Sequence, residues 1–385
     1  MKILYHHRTK SKDGQYVHIE EMIDALRSQG HEVIVVAPPG ASDQEFGSDA
    51  GFVTKLKQAL PKWAYELLEV SYSFLAYRQL AKAVKQHKPD CLYERYNLFM
   101  LAGIWIKKRL RLPMLLEVNA PIFEERSKYD GLALQRFARW AQGYVWRNAD
   151  FTLPVTGVLG DIVASYGVAR ERIAVIPNGI NQDRFSRAPS LTQAKQDLGL
   201  QDKLVLGFTG FVREWHGMDK VIDLIAGDPA DSARHLLIVG DGPIRQSLED
   251  QARRLAIADR VTFTGIVSRD EVARYVAAFD IALQPAVVSY ASPLKLFEYL
   301  ALGKAVVAPD QQNIKEILED NGNALLFDPN DSHGLAKAIG VLSEDINLRK
   351  KIGDNAKKSI DEKQLTWTAN ASRAAQLFQR LETHA

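Results

Sequence analysis

Two side chains promise chemistry by type and spacing: Lys295 and Glu298, in SYASPLKLFEYLALGKAVVAPD (Ser289–Asp310). Ser292 reads as an N-cap and Pro293 suits a first helical position. A helix is therefore expected from Pro293 to about Leu302, ended by Gly303 and followed by a buried strand at Ala305–Ala308. Leu294, Phe297 and Ala301 share its expected inward face, while Lys295 and Glu298 neighbour each other on another. The lysine falls in the first turn, where the helix dipole favours an acid and backbone N–H groups lack partners. A bound diphosphate resolves that conflict: it takes the N–H groups and the ammonium together, and Glu298, one turn deeper, accepts from sugar hydroxyls. The plainer alternative is a solvated Lys–Glu pair worth about a few tenths of a kcal/mol.

Other polar groups cluster after apparent strands. GFTGFVREWHG (Gly207–Gly217) sets Gly210 in a turn that brings Arg213 and His216 within reach of phosphate oxygens, although such turns more often serve tight packing. Gly240-Asp241-Gly242-Pro243 is a second such turn and lacks the third glycine of a dinucleotide fingerprint. LLEVNAPIFEER (Leu115–Arg126) places Glu117 and Asn119 at a strand's carboxyl end, where a turn with solvated charges is the plainer alternative. His18 follows Gly14 by one helical turn and is expected to be exposed. No Asp-X-Asp pair, zinc-like spacing, Gly-X-Ser-X-Gly elbow or P-loop occurs, so no metal site and no common hydrolase or kinase centre is expected.

The elements that position these residues alternate. Strands are expected at Lys2–His6, HEVIVVAP, Asp90–Glu94, Pro113–Val118, Phe151–Val155 and Ile173–Pro177. Helices fall between them: after Gly14 to Gly30, Pro61–Gln86, Leu98–Arg109, Leu132–Asn148, and on to Tyr166. A turn at Asn178-Gly179 and an aperiodic stretch from Asn181 to Ser190 read as a linker. The rhythm restarts with strands at Leu204–Thr209, His235–Val239, Val261–Thr264, Ile281–Gln284, Ala305–Ala308 and Ala324–Phe327. Two such runs imply an α/β chain of two doubly wound, Rossmann-like domains facing across a cleft, with ligands at the strands' carboxyl ends. The 385 residues suit two domains of about 100–200 residues each.

A net charge of +2 gives no reason to expect nucleic acid, and the single Cys91 reads as a buried thiol in a reducing compartment. The apolar run at the start is too short for a signal peptide, and no stretch approaches the ~18–20 apolar residues that span a bilayer. The chain is expected to be cytoplasmic. Trp63–Lys82, rich in aromatics and flanked by lysines, suits either a core helix with a solvated edge or one resting on a membrane.

Four stretches in order carry a resemblance: IAVIPNGINQDRF (Ile173–Phe185), GDGP, VTFTGIVSRDEVARYVAAFDIALQP and SPLKLFEYLALGKAVVA. Together they resemble the GT-B retaining glycosyltransferases of family 4, also known as group 1, over nearly the whole chain. The resemblance implies an N-terminal acceptor domain, residues 1–178, with a helix at 366–385 docking back onto it, and a nucleotide-sugar domain, residues 179–365. It implies that Glu298 contacts the ribose, and that Ser292, Pro293, Leu294 and Lys295 contact the diphosphate. Gly210, Arg213, His216, Gly240, Gly242 and Gly265 would complete the donor site, with Gly14, His18 and Asn119 on the acceptor side.

Three positions depart from the family pattern. Tyr290 stands where a second Glu is usual, and in the donor site its phenol would replace one hydrogen bond to the sugar; Asn119 stands where a His is usual, and Gly210-Phe211 replaces Gly-Arg. The implied activity is a metal-independent, retaining hexosyl transfer with no cofactor, from an NDP-sugar to a glycan, lipid-linked or small-molecule acceptor in polysaccharide or glycoconjugate assembly. The leaving diphosphate would act as base, Lys295 and Arg213 would stabilise it, and Asn119 and Glu117 would hold sugar and acceptor. A peripheral contact at the inner face of the cell membrane is a further expectation. A GT-B sugar-nucleotide epimerase and a catalytically silent GT-B partner subunit would share the fold.

Overall fold

A computed structural model describes residues 1–9, 14–38 and 60–383. Part of the polar loop after β1 (10–13) and the last two residues of the expected C-terminal helix (384–385) lie outside the described residues. By their contacts the residues form two compact units: Met1–Pro177 with Tyr290–Ser292 and Trp367–Ala385, and Asn178–Ser289 with Pro293–Thr366.

Unit 1 runs β1 (Lys2–His6), α1 (Gly14–Ser28), β2 (Glu32–Val36), α2 (Lys62–His87), β3 (Cys91–Arg95), α3 (Ala102–Leu110), β4 (Met114–Val118), α4 (Gln135–Asn148), β5 (Phe151–Pro154) and α5 (Gly157–Ser165). The strands pair in parallel in the order β2-β1-β3-β4-β5, which brings the carboxyl ends of β1, β3 and β4 side by side. Residues buried on both faces, as in β3 and β4, are what a parallel sheet covered by helices requires. Cys91 is buried within it.

Several boundaries differ from expectation for identifiable reasons. Ile173–Pro177 is no strand: Ile173 makes one bridge to Thr152, and Ile176 donates to the carbonyl of Pro154. Pro154 and Pro177 have no N–H to continue a ladder. The helix expected from Leu98 begins at Ala102, because Phe99 takes φ +65 and buried Ser73 holds the turn, donating to the Phe99 carbonyl (2.6 Å) and accepting from Leu101 N–H (3.0 Å). Likewise, α4 starts at Gln135 after buried Glu66 accepts from the N–H groups of Ala133 (2.8 Å) and Leu134 (2.7 Å). A helical turn at Ile122–Glu125, running into a π-helical one at Arg126–Asp130, follows Asn119 and was not foreseen.

Unit 2 holds β6 (Leu204–Thr209), α6 (Met218–Ala226), β7 (Arg234–Val239), α7 (Arg245–Arg254), β8 (Val261–Phe263), β9 (Ile281–Leu283), α8 (Leu294–Ala301), β10 (Ala305–Pro309), β11 (Ala324–Phe327) and α9 (Ile346–Glu362). Its parallel order is β11-β10-β9-β6-β7-β8. The expected linker is not aperiodic: Asn181 and Ser190 cap short helices at Gln182–Ser186 and Leu191–Asp197.

Helix α8 begins one residue later than expected, with Pro293, not Ser292, at the N-cap and no side-chain cap. It buries Leu296, Phe297, Tyr299 and Leu300 rather than Leu294 and Ala301, because a second face meets α9. There Gly303 and Gly353 touch through their backbones: a Cβ on Gly353 would lie 2.3 Å from the Gly303 carbonyl oxygen. The last helix, α10 (Trp367–Thr383), packs on α1, where Gln29 donates to the Thr368 carbonyl (2.7 Å) and to Ser372 (2.8 Å).

Candidate active site

In unit 2 three loops meet at the carboxyl end of β6. Gly210, at φ +126, donates to the Val239 carbonyl (2.9 Å), and Val212 donates to that of Asp241 (2.8 Å). A Cβ on Gly240 would lie 2.3 Å from the Gly210 carbonyl oxygen, and one on Gly242 2.1 Å from that of Val212. These glycines are thus needed for two loops to lie backbone against backbone. Gly265 joins them through a bridge to Gly240, whose N–H donates to Thr264 Oγ1 (3.2 Å).

Helix α8 closes on this floor. Thr209 N–H donates to the Tyr299 hydroxyl oxygen (2.9 Å), pinning the last residue of β6 to the helix. Lys295 lies against Gly210, and its ammonium sits 3.8 Å from the centroid of the Phe208 ring. Among the described residues neither Lys295 nor Glu298 has an ion-pair partner, so the solvated pair does not form. Burial pushes Lys295 down to about 7, against the pull of Glu298, and pushes Glu298 up to about 7, against Lys295 and Arg269. A half-buried ammonium beside an uncapped helix start, without a counter-ion, is a place for an anion.

Arg213 and His216 border the same place. The His216 Nδ1 accepts from Arg213 N–H (3.1 Å), which leaves Nε2 to carry the proton. Burial, then Lys295 and Arg213, push His216 down to about 3, so it offers a neutral donor rather than a cation. The Arg213 guanidinium stands 5.0 and 5.1 Å from the ring centroids of Phe211 and Trp215. Phe208, which no spacing rule singles out, neighbours both Lys295 and the His216 ring, the latter 5.2 Å away by centroids.

Unit 1 gathers its buried charge where β1, β3 and β4 end. Glu117 accepts from Tyr93 (2.8 Å), from Asn119 Nδ2 (2.5 Å) and from Arg95, and His18 Nε2 lies 2.9 Å from its Oε2. Burial alone would raise its pKa, but His18, then Arg95, and the hydrogen bonds hold it well below the usual carboxylate range. A carboxylate so occupied orients its neighbours and has little left for a ligand. With its amide nitrogen on Glu117, Asn119 keeps its carbonyl oxygen as the acceptor for one.

His18 is buried, not exposed as expected, because it faces Glu117 and its ring meets Trp367 edge-on at 4.7 Å. Gly14 opens α1 one turn earlier. Beside this hub a pair that the sequence did not mark, His6 Nδ1 and Glu94 Oε2, meets at 2.5 Å, and Glu94 occupies the space that a Cβ on Gly103 would need.

By their contacts Tyr290 and Ser292 belong with unit 1. The Tyr290 hydroxyl donates to Glu125 and its carbonyl accepts from Thr156 (2.9 Å). Its one O–H is thereby used, which corrects its placing as a free hydrogen-bond donor to a sugar. Among the described residues no group of three or more His, Cys, Asp or Glu is arranged to hold a metal.

Known proteins match this chain in sequence and in fold. Residues 12–184 match the profile of Glycosyltransferase Family 4, and residues 192–359 that of Glycosyl transferases group 1. An α-monoglucosyldiacylglycerol synthase from Streptococcus pneumoniae is 23% identical over 87% of this chain and 76% of its own. A GDP-mannose-dependent α-mannosyltransferase from Mycobacterium tuberculosis is 25% identical over 89% and 86%. The crystal structure of Anabaena HepE in complex with UDP superposes with a TM-score of 0.76 at 21% identity, covering 99% of this chain and 100% of that one. The fold is GT-B, and the activity it carries is glycosyl transfer. The chain belongs to the family 4, group 1 glycosyltransferases.

Proposed function

We propose that this glycosyltransferase moves a hexosyl group from a nucleoside diphosphate sugar to an acceptor hydroxyl, with retention at the anomeric carbon and without a metal. The observation that carries the proposal is the Lys295 ammonium on the Phe208 ring, unpaired among the described residues at an uncapped helix start. Solved relatives bound to UDP and to UDP-glucose support such a donor.

As the bond from the anomeric carbon to phosphate breaks, the α8 N–H groups, Lys295 and Arg213 stabilise the charge on the leaving diphosphate. A diphosphate oxygen takes the proton of the acceptor hydroxyl as its oxygen bonds to the anomeric carbon from the same face. Glu298 accepts from the ribose hydroxyls, and the Asn119 carbonyl oxygen from a hydroxyl on the unit 1 side. The acceptor is a glycan or a lipid-linked molecule in glycoconjugate assembly, met at the inner face of the cell membrane; the diacylglycerol-related name of one relative supports the lipid.

Incubation with a panel of NDP-sugars and candidate acceptors tests this. Release of NDP with a retained anomeric configuration in EDTA is expected. A collapse restored by manganese overturns the metal-free mechanism, a changed sugar still bearing its diphosphate indicates an epimerase, and neither product indicates a silent subunit.

A further inference from the structure

Helices α2, α3 and α4 cover one side of the unit 1 sheet, and their outer faces share an unusual composition. On α2 the exposed apolar side chains are Trp63, Leu67, Leu68, Phe74 and Leu75, at 47–62% exposure. Trp63, Leu67 and Phe74 fall on one stripe of that helix, and Arg78 and Lys85 extend the stripe in the same sector. Phe74 touches Trp105 of α3 (ring centroids 5.3 Å). One turn on, Lys108 lies 4.9 Å over the Tyr144 ring of α4. Tyr144 in turn stacks on Trp140 (5.1 Å), itself 49% exposed. Aromatic and basic groups thus continue across all three helices without a break.

Among the described residues, the exposed charge of these three helices has one sign. The two acids of α2 both turn inward: Glu66 serves the start of α4, and Glu69 pairs with Arg126 (2.9 Å). Neither α3 nor α4 contains an acid. Exposed cations remain in each helix or at its end: Arg78, Lys82 and Lys85; Lys108, Arg109 and Arg111; Arg136 and Arg139. The whole chain nets only +2, so this positive face is local.

We propose that the outer face of α2, α3 and α4 docks on an anionic lipid bilayer, lying in its interface. This deepens the membrane-facing acceptor proposed above and rests on that proposal for its purpose, though not for its binding. Exposed aromatic rings beside lysines and arginines suit the headgroup level, where rings sit between acyl chains and water and cations meet lipid phosphates. The aliphatic exposure of Leu67, Leu68, Leu75 and Leu110 favours lipid over a nucleic acid, which offers such side chains nothing to enter. No helix among the described residues is long and apolar enough to cross a membrane, so the contact is peripheral.

Co-sedimentation with vesicles of phosphatidylcholine containing phosphatidylserine tests the proposal against vesicles of phosphatidylcholine alone. Each basic side chain is worth about fivefold in partitioning. Binding to the anionic vesicles should fall at least about 100-fold in the triple variant Lys108→Glu, Arg109→Glu, Arg111→Glu. In Trp63→Ser with Phe74→Ser it should fall with its salt dependence kept.

UDP binding and thermal unfolding of every variant should match wild type, which separates loss of the surface from loss of the fold. Wild-type protein left in the supernatant at low salt would overturn the proposal. So would unchanged partitioning of the triple variant, or retention on duplex DNA as tight as on vesicles. Vesicle binding by a protein that releases no NDP would leave this surface standing and sink the transferase mechanism instead.

Discussion

Lys295 rests on a ring at a helix start and has no ion-pair partner among the described residues. In the ligand-free protein Lys295→Ala should therefore be neutral or mildly stabilising, since the removed cation faces the positive end of α8. It should weaken NDP and pyrophosphate binding by about 1.5–3 kcal/mol, more than tenfold, as expected for a lost charge-assisted contact. Glu298→Gln should weaken NDP similarly and leave pyrophosphate, which has no ribose, unaffected. Calorimetric titration of both variants with both ligands gives four affinities; wild-type NDP affinity in Lys295→Ala would contradict the assignment.

The same two groups make stability and binding depend on pH. Between about 7 and 10.5 the unfolded chain keeps the Lys295 proton that the folded chain has lost, so this group makes stability rise with pH there. Between 4.5 and about 7 the folded chain holds the Glu298 proton that the unfolded chain has lost, so stability falls with pH there. Their joint contribution is least favourable near neutrality, where an anion restores the lysine's charge. UDP binding at pH 8 should accordingly take up a proton, seen as a heat that differs between buffers of different ionisation enthalpy, and Lys295→Ala should abolish the difference.

The glycine loops after β6 and β7 act through what their backbones touch. Gly242→Ala would drive a methyl into the Val212 carbonyl, and the two loops must part to admit it. The expected cost is about 1–3 kcal/mol, as for overpacking elsewhere, read as a melting point lower by several degrees with weaker UDP binding. An unchanged melt would mean that the loops have room to separate. Helix α8 shows why position within a helix is hard to infer: its amphipathic pattern allows one inward face, but α9 behind it makes two.

Each unit is a parallel sheet with its own buried layers, and unit 1 is completed by α10, the last helix of the chain. Buried Asn370 donates to the Pro177 carbonyl (2.7 Å), and Trp367, Ala371, Ala374 and Phe378 are buried with it. Truncation after Thr366, where unit 2 ends, should uncover the apolar side of α1 and lower the melting of unit 1. UDP binding, proposed above for unit 2, should persist. Equal melting curves for the truncated and full chains would show that α10 contributes nothing.

The alternation of strands and helices was legible because it is local: apolar runs of strand length, helical spacing such as Ile19, Met22, Ile23 and Leu26, and Gly30 at φ +81 sit within a few residues of one another. Lys295, Glu298 and the glycine turns were legible for the same reason. What the sequence could not show are contacts between distant segments. His6 meets Glu94 across 88 positions and Tyr290 meets Glu125 across 165. Ser73 and Glu66 set the starts of α3 and α4 from another helix, and Arg95, His18 and Asn119 converge on one carboxylate. Local spacing determined which elements form. Only the tertiary structure decided which charges are paired, because a buried charge takes whatever partner the sheet order brings to its side.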